Sequence, residues 1–243
     1  MLHAANMGLV AIVVLLAGHS LAWALDALKL AVGAKGIWDQ SISELAQNAG
    51  IFKKHGIVLD IFYTQGAGET LQAVISGSAD LGIGLGTLGV MGAYAKGAPV
   101  RRGQLDVGWA AAPFGVEAIE QGKIRVIARA SDVVAYRTQT SRVLAANLTA
   151  LDRRRDVFIR YMRAYRDGLD WLYSDPAALA AYAAWAGSSE RIARRLRDEF
   201  LPKADIDPSN ISGLPELMAQ AVTFRFMPAP LTDAQLGELI QRY

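Results

Sequence analysis

Three glycine-rich stretches carry what chemistry this sequence offers: GAKGIWD at residues 33–39, TQGAGE at 64–69 and GLGTLG at 84–89. Glycine lacks a Cβ, so backbone N–H groups in such stretches can approach a small molecule closely. That is recognition chemistry rather than bond-making chemistry. The chain has no cysteine, which excludes thiolate nucleophiles, disulfides and Cys-ligated metal sites. His3 and His19 lie in an apolar leader, and His55 sits at a predicted helix end, where solvation or pairing with the helix dipole is expected. No Ser/His/Asp set, metal-ligand spacing or Gly-Lys-Ser/Thr phosphate loop is present. The expectation is no catalytic residue, no metal and no cofactor. Asp167 and Asp170 read as helix surface.

The elements that must position these stretches follow from periodicity. Leu28–Val32 alternates as a first strand, and Ile57–Tyr63 reads as a second. Between them, Ile42, Leu45, Ala46, Ala49 and Phe52 stand at helical spacing over 41–55, closed by KKHG. Glu69–Ile75 starts another helix, Asp80–Ile83 is a short strand, and Leu88–Lys96 is helical again. Strands alternating with helices predict an α/β fold with a mostly parallel sheet. In such sheets ligands sit beyond the carboxyl ends of the strands, where all three glycine stretches fall. A helix is then expected to open near Pro113, with strands at Ile124–Ala128 and Val143–Ala146. The rest is helical: Arg153–Tyr173 with Val157, Tyr161, Met162, Tyr165, Leu169 and Leu172 on one stripe, then a helix capped by Asp175-Pro176 running to Trp185. Helices over 188–200, over 214–226 and from Asp233 follow, and PKADIDPSNISG reads as a polar connector. The run Arg153-Arg154-Arg155 reads as a solvated helix face.

Composition agrees with a packed protein: 243 residues, 52% hydrophobic, 20% charged, net charge +2. No concentrated basic patch recommends nucleic acid. Residues 8–18, GLVAIVVLLAG, form an apolar run too short for a comfortable membrane span. SLAWA follows, with Ala22 and Ala24 in the small-x-small pattern, so residues 1–24 read as a secretory signal peptide. An uncleaved anchor or a buried helix are the alternatives.

A local repeat carries the strongest pattern. SGSADLGIG places Gly77, Asp80 and Gly82 at the spacing that RGQLDVGW gives Gly103, Asp106 and Gly108. The first copy has a helix before it. The second has only APVRR between it and Gly97, too little for a crossover between parallel strands. LAQNAGIFKKHGIVLDI, QGAGETLQAVISGSADLGIG and GQLDVGWAAAPFGVEAIEQG together resemble the substrate-binding proteins of ABC importers for nitrate, sulfonates, taurine and thiamine-pyrimidine precursors, the SsuA/NMT1-like group. In that group the two G..D.G segments belong to different lobes, whereas here they are almost adjacent. An internal deletion near Pro99–Gly103, at about residues 100–102, is inferred.

The resemblance implies a type II periplasmic-binding-protein-like fold with one largely complete lobe and a truncated second one. Its divisions are a signal peptide at 1–24, the first lobe at 25–100, a remnant of the second lobe with the return crossing at 101–146, and a helical part at 147–243 packing on the lobes. It implies a periplasmic protein that hands a small, anionic or heterocyclic solute to ABC permease subunits. It meets no nucleic acid, and the membrane only through the permease or an uncleaved signal. By position, Lys35, Gly36 and Trp38 form the first binding loop, Trp38 being either a flat apolar wall or a residue packed into the lobe. Gly66, Ala67, Gly68 and Glu69 open a helix whose N–H groups could hold an anionic oxygen, Glu69 complementing the dipole; a plain glycine turn is the alternative. Gly86 and Thr87 offer N–H and hydroxyl donors, unless Thr87 is only a helix cap. Trp109 and Pro113 line the opposite wall. A non-binding remnant or interaction protein is the second reading. An enzyme on the same scaffold is the third, disfavoured because such relatives are expected to use cysteine. N-terminal sequencing of the exported protein should begin at Leu25; an intact Met1 on exported protein overturns the cleavage expectation.

Overall fold

The computed structural model describes residues 24–86, 116–122, 132–140 and 142–240. The expected helix at Leu88–Lys96, the helix opening at Pro113, the strand at Ile124–Ala128, the Pro99–Gly103 junction and nearly all of the leader lie outside them, as do Thr87, Trp109 and Pro113. Four strands form one sheet in the order β2-β1-β3-β4: β1 (Asp26–Val32), β2 (Ile57–Tyr63), β3 (Leu81–Gly86) and β4 (Arg142–Ala146). The first three are mutually parallel, and β4 returns antiparallel along β3.

Alternation along the strands decides what covers each face. Leu28, Leu30 and Val32 of β1 and Leu81 and Ile83 of β3 share the main core with Ile42, Leu45 and Ala46 of helix α1 (Trp38–Asn48). The long helix Arg155–Ser174 completes that layer with Val157, Tyr161, Tyr165, Leu169 and Leu172, all buried, while Met162 is half-buried at its edge. At Gly168 the two helices come so close that an added Cβ would lie 2.6 Å from the Ala46 Cβ. The opposite face is covered by helix α3 (Ala67–Ile75), whose Val74 packs on Ala31 and whose Leu71 packs on Leu85. The loop after β1 therefore turns to one face and the loop after β2 to the other, the connectivity at which open α/β sheets commonly take ligands.

The helix expected over 41–55 starts earlier, at Trp38, and divides. Gly50, at φ 76°, stops α1, and a short helix α2 (Ile51–Lys54) turns Ile51 and Phe52 into the core. In the segment after Ala186, the expected single helix is Glu190–Arg195 followed by one wide turn at Leu196–Phe200. The polar connector holds a short helix, Lys203–Ile206. The C-terminal pair, Leu214–Thr223 and Asp233–Leu239, builds its own small apolar cluster around Leu217, Ala221, Met227 and Leu231.

The first G..D.G copy resolves into packing roles. Gly77, at φ 76°, ends α3. Asp80 exchanges hydrogen bonds with Lys29: the Lys29 N–H donates to Asp80 Oδ2 at 2.8 Å, and the Asp80 N–H donates to the Lys29 carbonyl at 2.9 Å. That fixes the parallel register Leu30–Leu81. Gly82 is where α3 meets the sheet, with Val74 Cγ2 and Thr70 Cγ2 at 2.7 and 3.0 Å from any added Cβ. Gly84, at φ 80°, interrupts the register with β4 and turns Leu85 to the α3 face, which simple alternation from Ile83 would not give.

The arginine run is not merely solvated. Arg154 donates to the Ala27 carbonyl at 2.6 Å and stands 3.8 Å from Asp80. Asp167 and Asp170 are surface residues, but each is paired, with His55 and Lys203, both at 2.6 Å. Gly82→Ala should destabilise the protein by about 1–3 kcal/mol through overpacking against Val74; a urea transition with an unmoved midpoint would refute the close contact.

Candidate functional site

The carboxyl tips of β1 and β2 carry the first two glycine loops side by side, and residues 84–86, the described part of the third stretch, end β3 next to β1. The first, 33–37, is held from beneath. Gln40, only 4% exposed, accepts the Ala34 N–H at 2.8 Å and packs against Gly33 and Gly84, closing the floor between β1 and β3. The Tyr182 hydroxyl donates to the Gly36 carbonyl at 2.7 Å. Trp38 has no exposed surface: its ring lies edge-on to Tyr173 at 5.9 Å and tilted on Tyr182 at 4.5 Å, and its Nε1–H donates to the Tyr173 hydroxyl at 3.0 Å. Of the two sequence readings of Trp38, the structure places it in the packed one. Lys35 is exposed, its ammonium 5.9 Å from the centre of the Trp185 ring. Burial pushes the phenols of Tyr173 and Tyr182 above their ordinary range, so both stay neutral donors at physiological pH.

The second loop stands on a buried hydroxyl pair. Thr64 and Thr70 oxygens are 2.6 Å apart, and the Thr70 hydroxyl also reaches the Gly66 carbonyl at 3.0 Å. Above them α3 begins with no side-chain cap from Gly66. Glu69 turns back so that its carboxylate accepts the Gln65 N–H at 2.7 Å. Among the described residues the N–H groups of Ala67 and Gly68 have no partner, and both residues are exposed. These are the free first-turn donors of a helix, at the end where the dipole favours an anion. Beside this loop, Tyr63 donates to the Glu44 carboxylate; burial, then that carboxylate, raises its pKa above the ordinary phenol range.

The glycines at these tips sort into two kinds. At Gly33 and Gly84 an added Cβ would press on Gln40, at 3.2 Å and 2.5 Å. At Gly36, Gly66, Gly68 and Gly86 it would meet nothing within 4 Å among the described residues. Positive φ at Gly36 (89°) and Gly66 (128°) requires glycine there for the backbone alone. Gly86 is exposed at the end of β3.

One residue at this rim was missed from the sequence. Arg142, the first residue of β4, pairs across the sheet with Gly86, and its Nη1 donates to both oxygens of Asp39 in the first turn of α1, at 2.7 Å each. Its only signal is a charge directly before an apolar strand run. Its partner strand, and so its place at the tips, is not legible locally. Among the described residues no group of three His, Cys, Asp or Glu side chains could hold a metal, and no helix is long and apolar enough to cross a membrane. A surface depression of about 370 Å³, lined by Val222, Arg225, Met227 and Pro228, belongs to the C-terminal helix pair and not to the strand tips.

Residues 43–102 match the NMT1/THI5-like family. No curated protein matches the chain. Among solved structures it is similar to the periplasmic aliphatic sulphonate binding protein SsuA of Escherichia coli, with 14% identity, a TM-score of 0.60, and coverage of 90% of this chain and 93% of that one. A Candida albicans gene product described as having the generic periplasmic binding protein fold gives 14%, 0.58, 88% and 95%. The alkanesulfonate-binding SsuA of Xanthomonas axonopodis pv. citri, bound to MOPS, gives 11%, 0.58, 89% and 98%. The chain thus has the α/β fold of the periplasmic binding proteins, and its residues 43–102 carry the NMT1/THI5-like pattern.

Proposed function

We propose that this chain is an extracytoplasmic solute-binding protein that presents a small anionic or heterocyclic solute to the permease of an ABC importer. The observation that carries the reading is the open set of glycines, Gly36, Gly66, Gly68 and Gly86, gathered at the tips of three parallel strands on a binding-protein fold. The N–H groups of Ala67 and Gly68, without a partner among the described residues, supply anion-directed donors there, as helix N-termini commonly do. Lys35 adds an exposed cation at the rim, and Glu69 orders the turn. Trp38 supports the first loop from behind. Thr87 remains a proposed donor beside Gly86, and Trp109 and Pro113 the proposed contribution of the opposite wall. The chain holds its solute without transforming it, and the leader places it in the periplasm.

The proposed divisions are a first lobe at 25–100, a shortened second lobe with its return crossing at 101–146, and the helical part at 147–243. The strand Arg142–Ala146 ends that crossing by joining the first-lobe sheet. One observation favours a second reading, a remnant that no longer closes on a solute: the family match stops at residue 102, where the second lobe would begin.

The exported mature chain should melt at a higher temperature with a bound solute. A screen of methanesulfonate, taurine, nitrate, bicarbonate and pyrimidines should find at least one that raises the midpoint with concentration. Saturation at a hundredfold over Kd corresponds to about 2.7 kcal/mol. A cooperative melt that no compound moves overturns binding and supports the remnant reading.

A further inference from the structure

Resting on the binding reading, we infer that Arg142 is the side chain that grips the solute's oxyanion, with Asp39 as the counter-charge that sets its strength. Arginine and carboxylate ordinarily meet fork to fork, using two nitrogens and two oxygens. Here a single nitrogen, Nη1, serves both Asp39 oxygens. The side-on fork, Nε with Nη2, has no hydrogen bond among the described residues, and the side chain is 34% exposed. The other sheet-clamping arginines differ. Arg160 uses Nη1 on the His55 and Gly56 carbonyls and Nη2 on Asp26 and Asp156. Arg154 commits Nη2 to the Ala27 carbonyl.

Place and chemistry agree. The Arg142 backbone lies opposite Gly86, where an added Cβ meets no described atom, and its head reaches the first turn of α1, just after the loop that carries Gly36. A guanidinium edge there presents two parallel N–H bonds to a group with two oxygens on one centre: a sulfonate, a carboxylate or nitrate. Asp39 offsets part of the guanidinium charge and so weakens the grip, while the two parallel N–H bonds remain charge-assisted and call for an anion with two oxygens on one centre. Replacing Asp39 by asparagine keeps the side-chain shape and uncovers the positive charge.

The test follows the Arg142 Nε–H resonance of the full mature chain by NMR, assigned by its absence in Arg142→Lys. Sodium methanesulfonate, sodium acetate and sodium nitrate are titrated separately, with dimethyl sulfone as an uncharged sulfonate isostere. A saturable shift with at least one anion and none with the sulfone is expected. Asp39→Asn should tighten that anion about tenfold, which is about 1.4 kcal/mol, and Arg142→Lys should weaken it by a similar factor because lysine has no fork. If Arg142→Lys does not fold, Asp39→Asn carries the affinity test with the guanidinium intact, and assignment passes to an Arg142→Gln variant or to sequential NMR. A resonance unmoved by all three anions overturns the inference. If a pyrimidine or another solute binds meanwhile, the binding reading survives without it; if nothing binds, both fall.

Discussion

The sheet of this protein has one face that α1 covers together with the C-terminal half of the chain. Leu28, Leu30, Val32, Leu81 and Ile83 point to that face, and α1 is too narrow to bury them alone. The long helix lies against α1 at Gly168, and its Tyr161 hydroxyl meets the Ser43 hydroxyl at 3.0 Å inside the core. The helix Pro176–Ala186 then brings Tyr182 under Trp38. Aromatic pairs of this kind add about 0.5–1.5 kcal/mol beyond the area they bury. Residues of the first strands and of the C-terminal helices therefore share one core, and the glycine loop after β1 is anchored to helices that follow it by well over a hundred residues. A lobe cut from the sequence at residue 100 would lack that anchor.

The two ends of the sheet are treated in opposite ways. At the amino ends, charges from the long helix and the segment before it close the strands: Arg154 on Ala27 and Asp80, Arg160 on Asp26 and the 55–56 carbonyls, Asp167 on His55. Each satisfies backbone or carboxylate groups that would otherwise need water. At the carboxyl ends, beside the exposed Glu69 carboxylate on the Gln65 N–H, the support is neutral and buried, in Gln40, Thr64, Thr70 and Tyr182. These groups rigidify the loops without filling the space above them. Preorganised loops lose less entropy when a ligand arrives. Arg142 with Asp39 adds a charged pair at this end, and among the described residues its Nε and Nη2 have no hydrogen bond.

What could be read in the sequence was what repeats locally. β1, β2 and the long helix stand within a residue or two of where period two and period 3.6 put them, because each carries a regular set of buried apolar positions: Leu28, Leu30 and Val32, then Ile57 and Leu59, then Val157, Tyr161, Tyr165, Leu169 and Leu172. Asp175-Pro176 capped its helix as expected, the Asp175 carboxylate accepting the Ala177 N–H at 2.9 Å. The division of α1 at Gly50 was missed because the apolar spacing carries through it; only the left-handed backbone of Gly50 stops the helix. Leu85 defeats alternation for the same kind of reason, a positive φ at Gly84 one residue earlier. Trp38 and Arg142 needed tertiary knowledge. Nothing local separates a tryptophan at a rim from one beneath it, and nothing local says that the strand Arg142–Ala146 returns to the edge of β3.

The sorting of the glycines bears on what a family pattern means in such a chain. Gly77, Asp80 and Gly82 are used up by a helix stop, a register bond and a close helix–sheet contact. None of those functions refers to a ligand, so selection for folding alone would keep the motif whatever the solute. A match over residues 43–102 accordingly speaks for how this lobe is built, and it is the same evidence whether the lobe holds a sulfonate, a pyrimidine or nothing. Information about the solute has to reside where packing makes no demand on side-chain volume. At Gly66 and Gly36 the backbone torsion still demands glycine, which leaves Gly68, Gly86 and the Nε–Nη2 edge of Arg142 as positions on which packing among the described residues makes no demand. A fold that fixes its loops through buried neutral hydrogen bonds and leaves those positions open can change solute without changing its core.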